Sequence, residues 1–150
     1  AYFFMSHTCR SLVLHCMDFR FAKDLKKFME DHGLLGDADE VAFAGAAKNF
    51  LDEESKVFAM RQIELANRLH HVREVHLMNH TDCGAYGGQS AFGTSEDERD
   101  AHLRDLHAAA QSITQTHPDI QVHCWLAHIN ELSSPPDITF EWIEDVRAAS

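Results

Sequence analysis

The sequence predicts an α/β fold: a mostly parallel four-stranded sheet with an added antiparallel edge strand and helices on both faces. Two observations lead to this prediction. Short apolar runs alternate with amphipathic helical segments of ten or more residues, which is the pattern of βαβ units. The chain of 150 residues also has the length of one domain with a sizeable core, so we expect a single domain over residues 1–150.

Three apolar runs in the first half of the chain predict strands. Residues 11–14 (SLVL) are the first, residues 41–44 (VAFA) the second and residues 75–78 the third. Between them, apolar side chains recur at helical spacing over residues 22–32 and 53–70. This spacing predicts two amphipathic helices.

The second half of the chain predicts one long helix and two further strands. Ser95 and Glu98 have the spacing of a capping box, so we expect a helix that begins there and runs to about Thr116. Residues 120–127 are the predicted fourth strand. Residues 138–142 are the predicted antiparallel edge strand, and a short final helix follows.

The charge balance limits the classes of partner. The chain has 24 acidic and 13 basic side chains and a net charge of −11, whereas nucleic acid and anionic lipid require clustered lysine and arginine. No apolar run approaches the length of about 20 residues that a membrane span needs. The opening Ala-Tyr-Phe-Phe-Met is too short for a signal-peptide core. We therefore expect a cytoplasmic protein with no nucleic-acid or membrane partner.

Cysteine and histidine usage gives a further indication. Four cysteines in a chain with this much apolar sequence do not form a disulfide scaffold. Cys9 and Cys124 stand alone and are expected to be inert buried thiols. Most of the twelve histidines are expected on solvated helix surfaces.

Polar residues with metal-ligand chemistry follow the first and third predicted strands. One group contains Cys16, Asp18 and Arg20, and the other contains His80 and Cys83. Ligands of parallel α/β sheets bind beyond the carboxyl ends of the strands, so the fold can bring the two groups together. Zn²⁺ favours a set of two thiolates and one imidazole, and three protein ligands leave a fourth position open, as in catalytic sites.

Asp18 and Arg20 are expected to act as a pair beside this metal. In an extended chain, the side chains of Cys16, Asp18 and Arg20 point to the same side. Asp18 is therefore expected either to occupy the fourth zinc position or to accept a hydrogen bond from a zinc-bound water. If Arg20 grips the Asp18 carboxylate through two parallel hydrogen bonds, the carboxylate is drawn off the metal.

The two motifs C-x-D-x-R and H-x-x-C-G, each after an apolar strand, resemble those of the β-class carbonic anhydrases. The resemblance covers roughly residues 11–142. It implies zinc-dependent reversible hydration of carbon dioxide to bicarbonate, in a homodimer or a higher homo-oligomer. The zinc ligands that it implies are Cys16, His80 and Cys83. The implied pair that activates the zinc-bound water is Asp18 with Arg20.

The sequence departs from the family pattern at the expected substrate pocket. Phe19 stands where the family usually has a serine, and Ala42-Phe43 stands where it usually has arginine and asparagine. We therefore expect a more apolar pocket with Phe19 and Phe43 as walls. Further pocket candidates are Gly45, Gly84 and Tyr86. For Gly84 the alternative is a flexible turn, and for Tyr86 it is simple aromatic packing.

These departures leave two alternatives to carbon dioxide hydration. A more apolar pocket also suits carbonyl sulfide or carbon disulfide, which related enzymes hydrolyse. The other alternative is a family member that binds zinc without turnover, with Asp18 permanently on the metal.

Overall fold

The computed structural model describes residues 7–144, which form one five-stranded sheet with helices on both faces. The strands are β1 (Ser11–His15), β2 (Ala38–Ala42), β3 (Glu74–His80), β4 (Gln121–Asn130) and β5 (Asp137–Ile143). The helices are α1 (Ala22–Asp31), α2 (Lys56–His70) and α3 (Ser95–Thr116). Short 3-10 helices cover Phe19–Phe21, Ala46–Phe50, Gly84–Tyr86 and Gln89–Ala91.

The sheet has the strand order β2-β1-β3-β4-β5. The first four strands are parallel to one another, and β5 runs antiparallel to β4. The predicted fold class is therefore confirmed. No helix within residues 7–144 has the combination of length and apolar character that a bilayer crossing requires.

The side chains of β1 alternate between two cores, as the period of a strand demands. Leu12 and Leu14 pack with Ile63 of α2 and Leu106 of α3 on one face of the sheet. Val13 packs on the opposite face, with the apolar side of α1. Because both faces are covered, β1 is an uninterrupted buried run, which explains why the sequence marks it so clearly.

The strand order places a switch point between β1 and β3. The chain leaves β1 for β2 on one side and then crosses to β3 on the other side of β1. Connections that diverge in this way open a crevice beyond the carboxyl ends of the two strands. The residues after His15 and the last residue of β3, His80, both lie at this crevice.

Two predicted boundaries in the first half are wrong. The second strand is Ala38–Ala42 rather than residues 41–44. It is an edge strand, so the partly exposed Asp39 and the exposed Glu40 are tolerated there despite their charge. The second helix begins at Lys56 rather than residue 53, since the carbonyl of Asp52 first closes a turn with the backbone N–H of Ser55.

The predicted cap of the long helix is also wrong. Thr94 is the N-cap, and its hydroxyl accepts a hydrogen bond of 3.0 Å from the backbone N–H of Asp97. Glu98 is not part of a capping box because its carboxylate accepts the backbone N–H of Asp82 at 2.7 Å. The predicted final helix lies outside the described residues.

The expectation for the histidines is wrong as well. Five of the twelve histidines lie in strands, namely His15, His76, His80, His123 and His128. A sixth, His102, lies in α3 but is fully buried. The imidazoles are thus concentrated in the interior around the sheet.

Candidate metal centre

Three potential metal ligands converge at the switch point. Cys16 directly follows β1, His80 is the last residue of β3, and Cys83 lies in the turn after it. The two sulfur atoms are 3.9 Å apart, and the ligand atoms of all three residues lie within 4.8 Å of one another. All three side chains are at least 95% buried. Two sulfur atoms bound to one tetrahedral zinc ion lie about 3.8 Å apart, so this spacing fits the ion.

The imidazole of His80 is oriented for coordination. Its Nδ1 donates a hydrogen bond of 2.7 Å to the carbonyl of Thr81. The lone pair is therefore on Nε2, which is buried and has no hydrogen-bond partner among residues 7–144. A buried acceptor without a partner is costly unless an ion or a water satisfies it, and backbone support at the other nitrogen is common for metal-bound histidine.

The pKa values of the Cys16 and Cys83 thiols are shifted in opposite directions. The hydrogen bond with Cys83 is the largest factor that lowers the pKa of Cys16 to about 4, and the nearby backbone N–H of Gly45 contributes. The pKa of Cys83 is raised because it shares that hydrogen bond and faces the Cys16 sulfur in a buried site. Two thiolates this close need a cation between them. The donor set, its spacing and its charge therefore fit Zn²⁺.

The Asp18 carboxylate lies beside the three candidate ligands and is held by Arg20. Its Oδ2 is 3.8 Å from Nε2 of His80. Arg20 donates from Nη2 to Oδ2 at 2.8 Å and from Nε to Oδ1 at 3.1 Å. These hydrogen bonds are the main reason that the pKa of Asp18 is below its usual value.

The local backbone differs from the expected extended chain. Asp18 caps the 3-10 helix Phe19–Phe21, and its Oδ1 accepts the backbone N–H of Arg20 at 2.9 Å. Arg20 thus reaches Asp18 through a tight turn and not through strand alternation. The turn fixes the carboxylate by a backbone donor and by the guanidinium together.

Arg20 is also the centre of a wider acidic network that the sequence did not reveal. Its guanidinium donates to the Asp82 carboxylate and to the Asp82 carbonyl, each at 2.9 Å, and it donates to Glu131. Its pKa is raised further, chiefly by the hydrogen bond to Asp18. Asp82 has a left-handed backbone with φ of 56°, and its Oδ1 accepts the N–H of Gln89. The network therefore ties the two motif segments to the β4–β5 turn.

A cavity of about 420 Å³ opens beside Cys16 and Asp18. It lies under α1, and most of its wall is apolar. The apolar side chains include Phe21, Leu25, Met29 and Leu35. The cavity supplies a largely apolar space next to a charged pair.

The expected walls Phe19 and Phe43 lie away from this cavity in the single chain. Phe19 is 85% exposed, because the 3-10 turn directs its side chain to solvent and places Phe21 inward instead. Phe43 packs towards α2, with its ring centroid 6.5 Å from that of Phe58. Neither side chain lines the cavity.

The three other pocket candidates have separate positions. Gly45 is buried next to Cys16, and its φ of 82° requires the left-handed conformation that glycine adopts readily. Gly84 is exposed, and it does not line the cavity. The Tyr86 hydroxyl donates to Asp105 of α3 at 2.7 Å and accepts from Asn79, so it faces a separate polar network.

Comparison with solved structures supports the fold. The crystal structure of the β-carbonic anhydrase CafA of Aspergillus fumigatus has a TM-score of 0.60 and 20% identity, covering 95% of this chain and 78% of that one. The tetrameric β-carbonic anhydrases of Sordaria macrospora also give a TM-score of 0.60, with 13% identity and coverage of 93% and 82%. The carbonic anhydrase of Streptococcus mutans gives 0.53 at 17% identity, with coverage of 93% and 84%.

Sequence comparison gives the family. Uncharacterized proteins of Rickettsia bellii and Rickettsia conorii are each 29% identical over 122 residues, which is 77% of this chain. The match covers 74% of the first relative and 66% of the second. The model of a family described as putative carbonic anhydrase matches residues 6–135. Since this match spans most of the sequence and includes both motifs, the chain belongs to that family of carbonic anhydrase-like proteins.

Proposed function

We propose that the protein is a zinc-dependent carbonic anhydrase that interconverts carbon dioxide and bicarbonate. One observation carries the proposal: three buried soft ligands converge beside an ionised carboxylate that is held off them by an arginine. The family and the fold support the same reaction class.

The proposed zinc ligands are Cys16, His80 and Cys83. A zinc ion held by these residues would supply Lewis acidity for the attack of water on the substrate near neutral pH. Two thiolates neutralise the charge of the cation, so help from a neighbouring group matters more than at a three-histidine site.

Asp18 supplies this help as a hydrogen-bond acceptor. Its carboxylate is kept ionised because Arg20 lowers its pKa. Arg20 donates hydrogen bonds to both oxygens of the carboxylate, and Oδ2 also lies 3.8 Å from Nε2 of His80. Asp18 would therefore accept a hydrogen bond from the reacting water and orient the lone pair of that water towards the substrate. Arg20 holds that orientation and prevents Asp18 from becoming a ligand.

The adjoining cavity is the proposed substrate site. Carbon dioxide is small and has no net dipole, so an apolar wall of Phe21, Leu25 and Met29 accommodates it. The bicarbonate product is charged, and the exposed Lys26 at the cavity offers it a cationic neighbour on its way out.

Stopped-flow hydration of carbon dioxide tests this proposal. We expect the zinc-loaded protein to accelerate the reaction above the buffer rate, and Cys83→Ser to lose both the zinc and the acceleration. A zinc-loaded protein with no rate above buffer would leave only a non-catalytic zinc-binding role.

Hydrolysis of carbonyl sulfide or carbon disulfide is a second candidate. The observation that favours it is the apolar wall of the cavity, now made by Phe21 and the α1 side chains rather than by Phe19 and Phe43. Sulfide release from these substrates separates the candidates. Rapid hydration of carbon dioxide without any sulfide release would exclude the second one.

We further propose that the protein is a cytoplasmic homodimer or higher homo-oligomer. Large apolar side chains are exposed on the single chain, including Phe19, Val57 and Leu132, and subunit contacts typically cover such residues. The solved Sordaria macrospora enzymes are described as tetrameric. The proposed zinc ligands Cys16 and Cys83 are not bridged to each other, and thiolate ligands require a compartment that keeps thiols reduced. Light scattering of the purified protein checks the mass: a monomer at micromolar concentration would contradict the assembly.

A further inference from the structure

A second group of metal-ligand side chains lies near the amino ends of β1 and β2, whereas the first site lies beyond the carboxyl ends of β1 and β3. It consists of Cys9, Asp39 and His70, which we call the amino-edge cluster. We propose that the amino-edge cluster is a binding site for a second divalent cation of the zinc class. This inference is independent of the proposed reaction.

The ligand atoms of the amino-edge cluster are as close together as those of the first site. They all lie within 4.8 Å of one another. Nδ1 of His70 is 2.7 Å from Oδ2 of Asp39, and the backbone N–H of Cys9 donates to the carbonyl of His70 at 3.1 Å. The ring of His7 lies beside the cluster, with its centroid 4.9 Å from that of His70. A second imidazole is thus adjacent to the three ligands.

The chemistry of the donors selects the cation. One thiolate, one carboxylate and one imidazole form a mixed S, O and N set, which suits Zn²⁺ and Co²⁺ and disfavours Mg²⁺ and Ca²⁺. The two negative donors balance the charge of a divalent ion. Binding displaces the thiol proton of Cys9 to solvent, and the imidazole proton moves from Nδ1 to Nε2 of His70. One proton is therefore released for each cation bound.

The room that a cation needs is present. A tetrahedral zinc ion separates its nitrogen and oxygen ligands by about 3.3 Å, so the His70–Asp39 pair must open by roughly 0.6 Å. The side chains of both residues are about 30% exposed, and Cys9 is only partly buried. The pair can thus open without displacing the core.

The position of the amino-edge cluster separates it from the first site. Cys9 precedes β1, Asp39 lies near the start of β2, and His70 is the last residue of α2. Cys9 and Cys16 are seven positions apart, which corresponds to roughly 20 Å of extended chain. A cation here would connect three segments that lie about 30 residues apart in sequence: the segment before β1, the edge strand β2 and the end of α2. We therefore assign it a stabilising role.

A third group of potential ligands is not suited to binding a cation. Glu74, His76 and His123 also lie close together. However, the indole N–H of Trp125 donates to Nδ1 of His76 at 3.1 Å, which places the proton of the neutral ring on Nε2. That Nε2, which faces Glu74 at 3.9 Å, has no lone pair for a cation. We therefore make no metal proposal for this group.

Cobalt titration of the 150-residue chain tests the inference. In the Cys16→Ser/Cys83→Ser background, we expect one equivalent of Co²⁺ with a sulfur-to-cobalt charge-transfer band. Adding Cys9→Ser should remove the band, and His70→Gln should weaken binding at least tenfold. Cys124→Ser is the matched control, because this buried thiol belongs to neither site, and it should leave the band unchanged.

The wild-type chain provides the same test if the double variant does not fold. It should bind two equivalents of Co²⁺, and Cys9→Ser should bind one with an unchanged circular dichroism spectrum. Excess Zn²⁺ should raise the unfolding temperature of the wild type more than that of Cys9→Ser. Equal stoichiometry in the wild type and Cys9→Ser would overturn the inference. That result would leave the first site, Cys16, His80 and Cys83, unaffected. If the first site did not bind a cation, Cys9→Ser would bind no Co²⁺ at all.

Discussion

Arg20 binds the carboxylate of Asp18 through both of its oxygen atoms, with distances of 2.8 Å from Nη2 to Oδ2 and 3.1 Å from Nε to Oδ1. In the proposed mechanism, this pairing keeps the Asp18 carboxylate beside the metal and not on it. Asp18 is also fixed by the backbone N–H of Arg20, so the pair is a rigid unit of one short turn.

Arg20→Lys should lower kcat/KM for carbon dioxide hydration by about 10- to 100-fold, with zinc content unchanged. The lysine keeps the positive charge but cannot make the two parallel hydrogen bonds, so the carboxylate loses its fixed orientation. Stopped-flow kinetics with metal analysis measures both quantities. Arg99→Lys is the matched control, because Arg99 makes a similar pair with Glu141 outside the site. Equal losses in the two variants would mean that the Asp18–Arg20 geometry has no special role.

Asp18→Asn should lower kcat by about 100-fold or more and leave the zinc bound. The amide has nearly the same shape but is a weaker acceptor and no longer ionised, so it orients the reacting water poorly. Asp119→Asn serves as the control, since Asp119 is half exposed and pairs only with surface groups. Loss of zinc from Asp18→Asn at neutral pH would show instead that Asp18 is itself a ligand.

Gly45→Ala should destabilise the fold by about 2 to 3 kcal/mol and Gly36→Ala by about 1 kcal/mol. Both glycines have φ above 80°, so each alanine carries the same backbone strain. At Gly45, the new Cβ also lies 3.0 Å from Cβ of Ala85, whereas at Gly36 nothing lies within 4 Å. Urea unfolding of both variants isolates the cost of the contact. If both variants lost the same free energy of unfolding, the backbone at Gly45 would accommodate the new Cβ without cost. The tight packing beside Cys16 would then be refuted.

The buried His76 should make the fold less stable in mild acid. Burial is the main reason that its pKa falls from 6.5 to about 4, and the neighbouring His123 adds to this, while Glu74 opposes it and the more distant His32 and Arg10 contribute little. Between these pKa values the unfolded chain binds more protons, so stability is lost as the pH falls. The loss from about pH 7.5 to about pH 5 is roughly 2 kcal/mol.

Urea unfolding of the wild type and His76→Gln at the two pH values checks this expectation. The glutamine carbonyl can still accept the Trp125 N–H, so the variant keeps the hydrogen bond without the titrating ring. Effects of acid on other groups occur in both proteins and cancel. Identical pH dependence in the two proteins would contradict the assignment.

Much of the fold could be predicted from the sequence because its signals are local. The strands β1 and β3 are buried on both faces and contain the short apolar segments Leu12–Leu14 and Leu77–Met78, and the helices between the two strands carry regular apolar spacing. The bounds of β2 were missed because an edge strand tolerates Asp39 and Glu40, which interrupt the apolar pattern. The prediction of the N-cap of α3 was wrong by one position, because Thr94 and Ser95 both carry a hydroxyl that can cap a helix.

The candidate site was predictable only where residue type determines chemistry. Cys16, His80 and Cys83 were selected by their donor atoms and by their position after strands. The orientations of Phe19 and Phe43 depend on turns that composition does not encode. The contact of Arg20 with Glu131 spans 111 positions in the sequence, and no local pattern indicates it. By contrast, the polar Asn79 next to His80 in an apolar strand was a visible signal of the network that it forms.

The decisive measurement for the switch-point metal site is the zinc content of the Cys9→Ser protein, with and without the replacement of Cys16 and Cys83 by serine. This background leaves the switch-point site as the only proposed place for a tightly bound ion. We expect one zinc per chain in Cys9→Ser and less than about one tenth of that in the triple variant. A full equivalent of zinc in the triple variant, or none in Cys9→Ser, would refute the assignment of Cys16, His80 and Cys83 as zinc ligands.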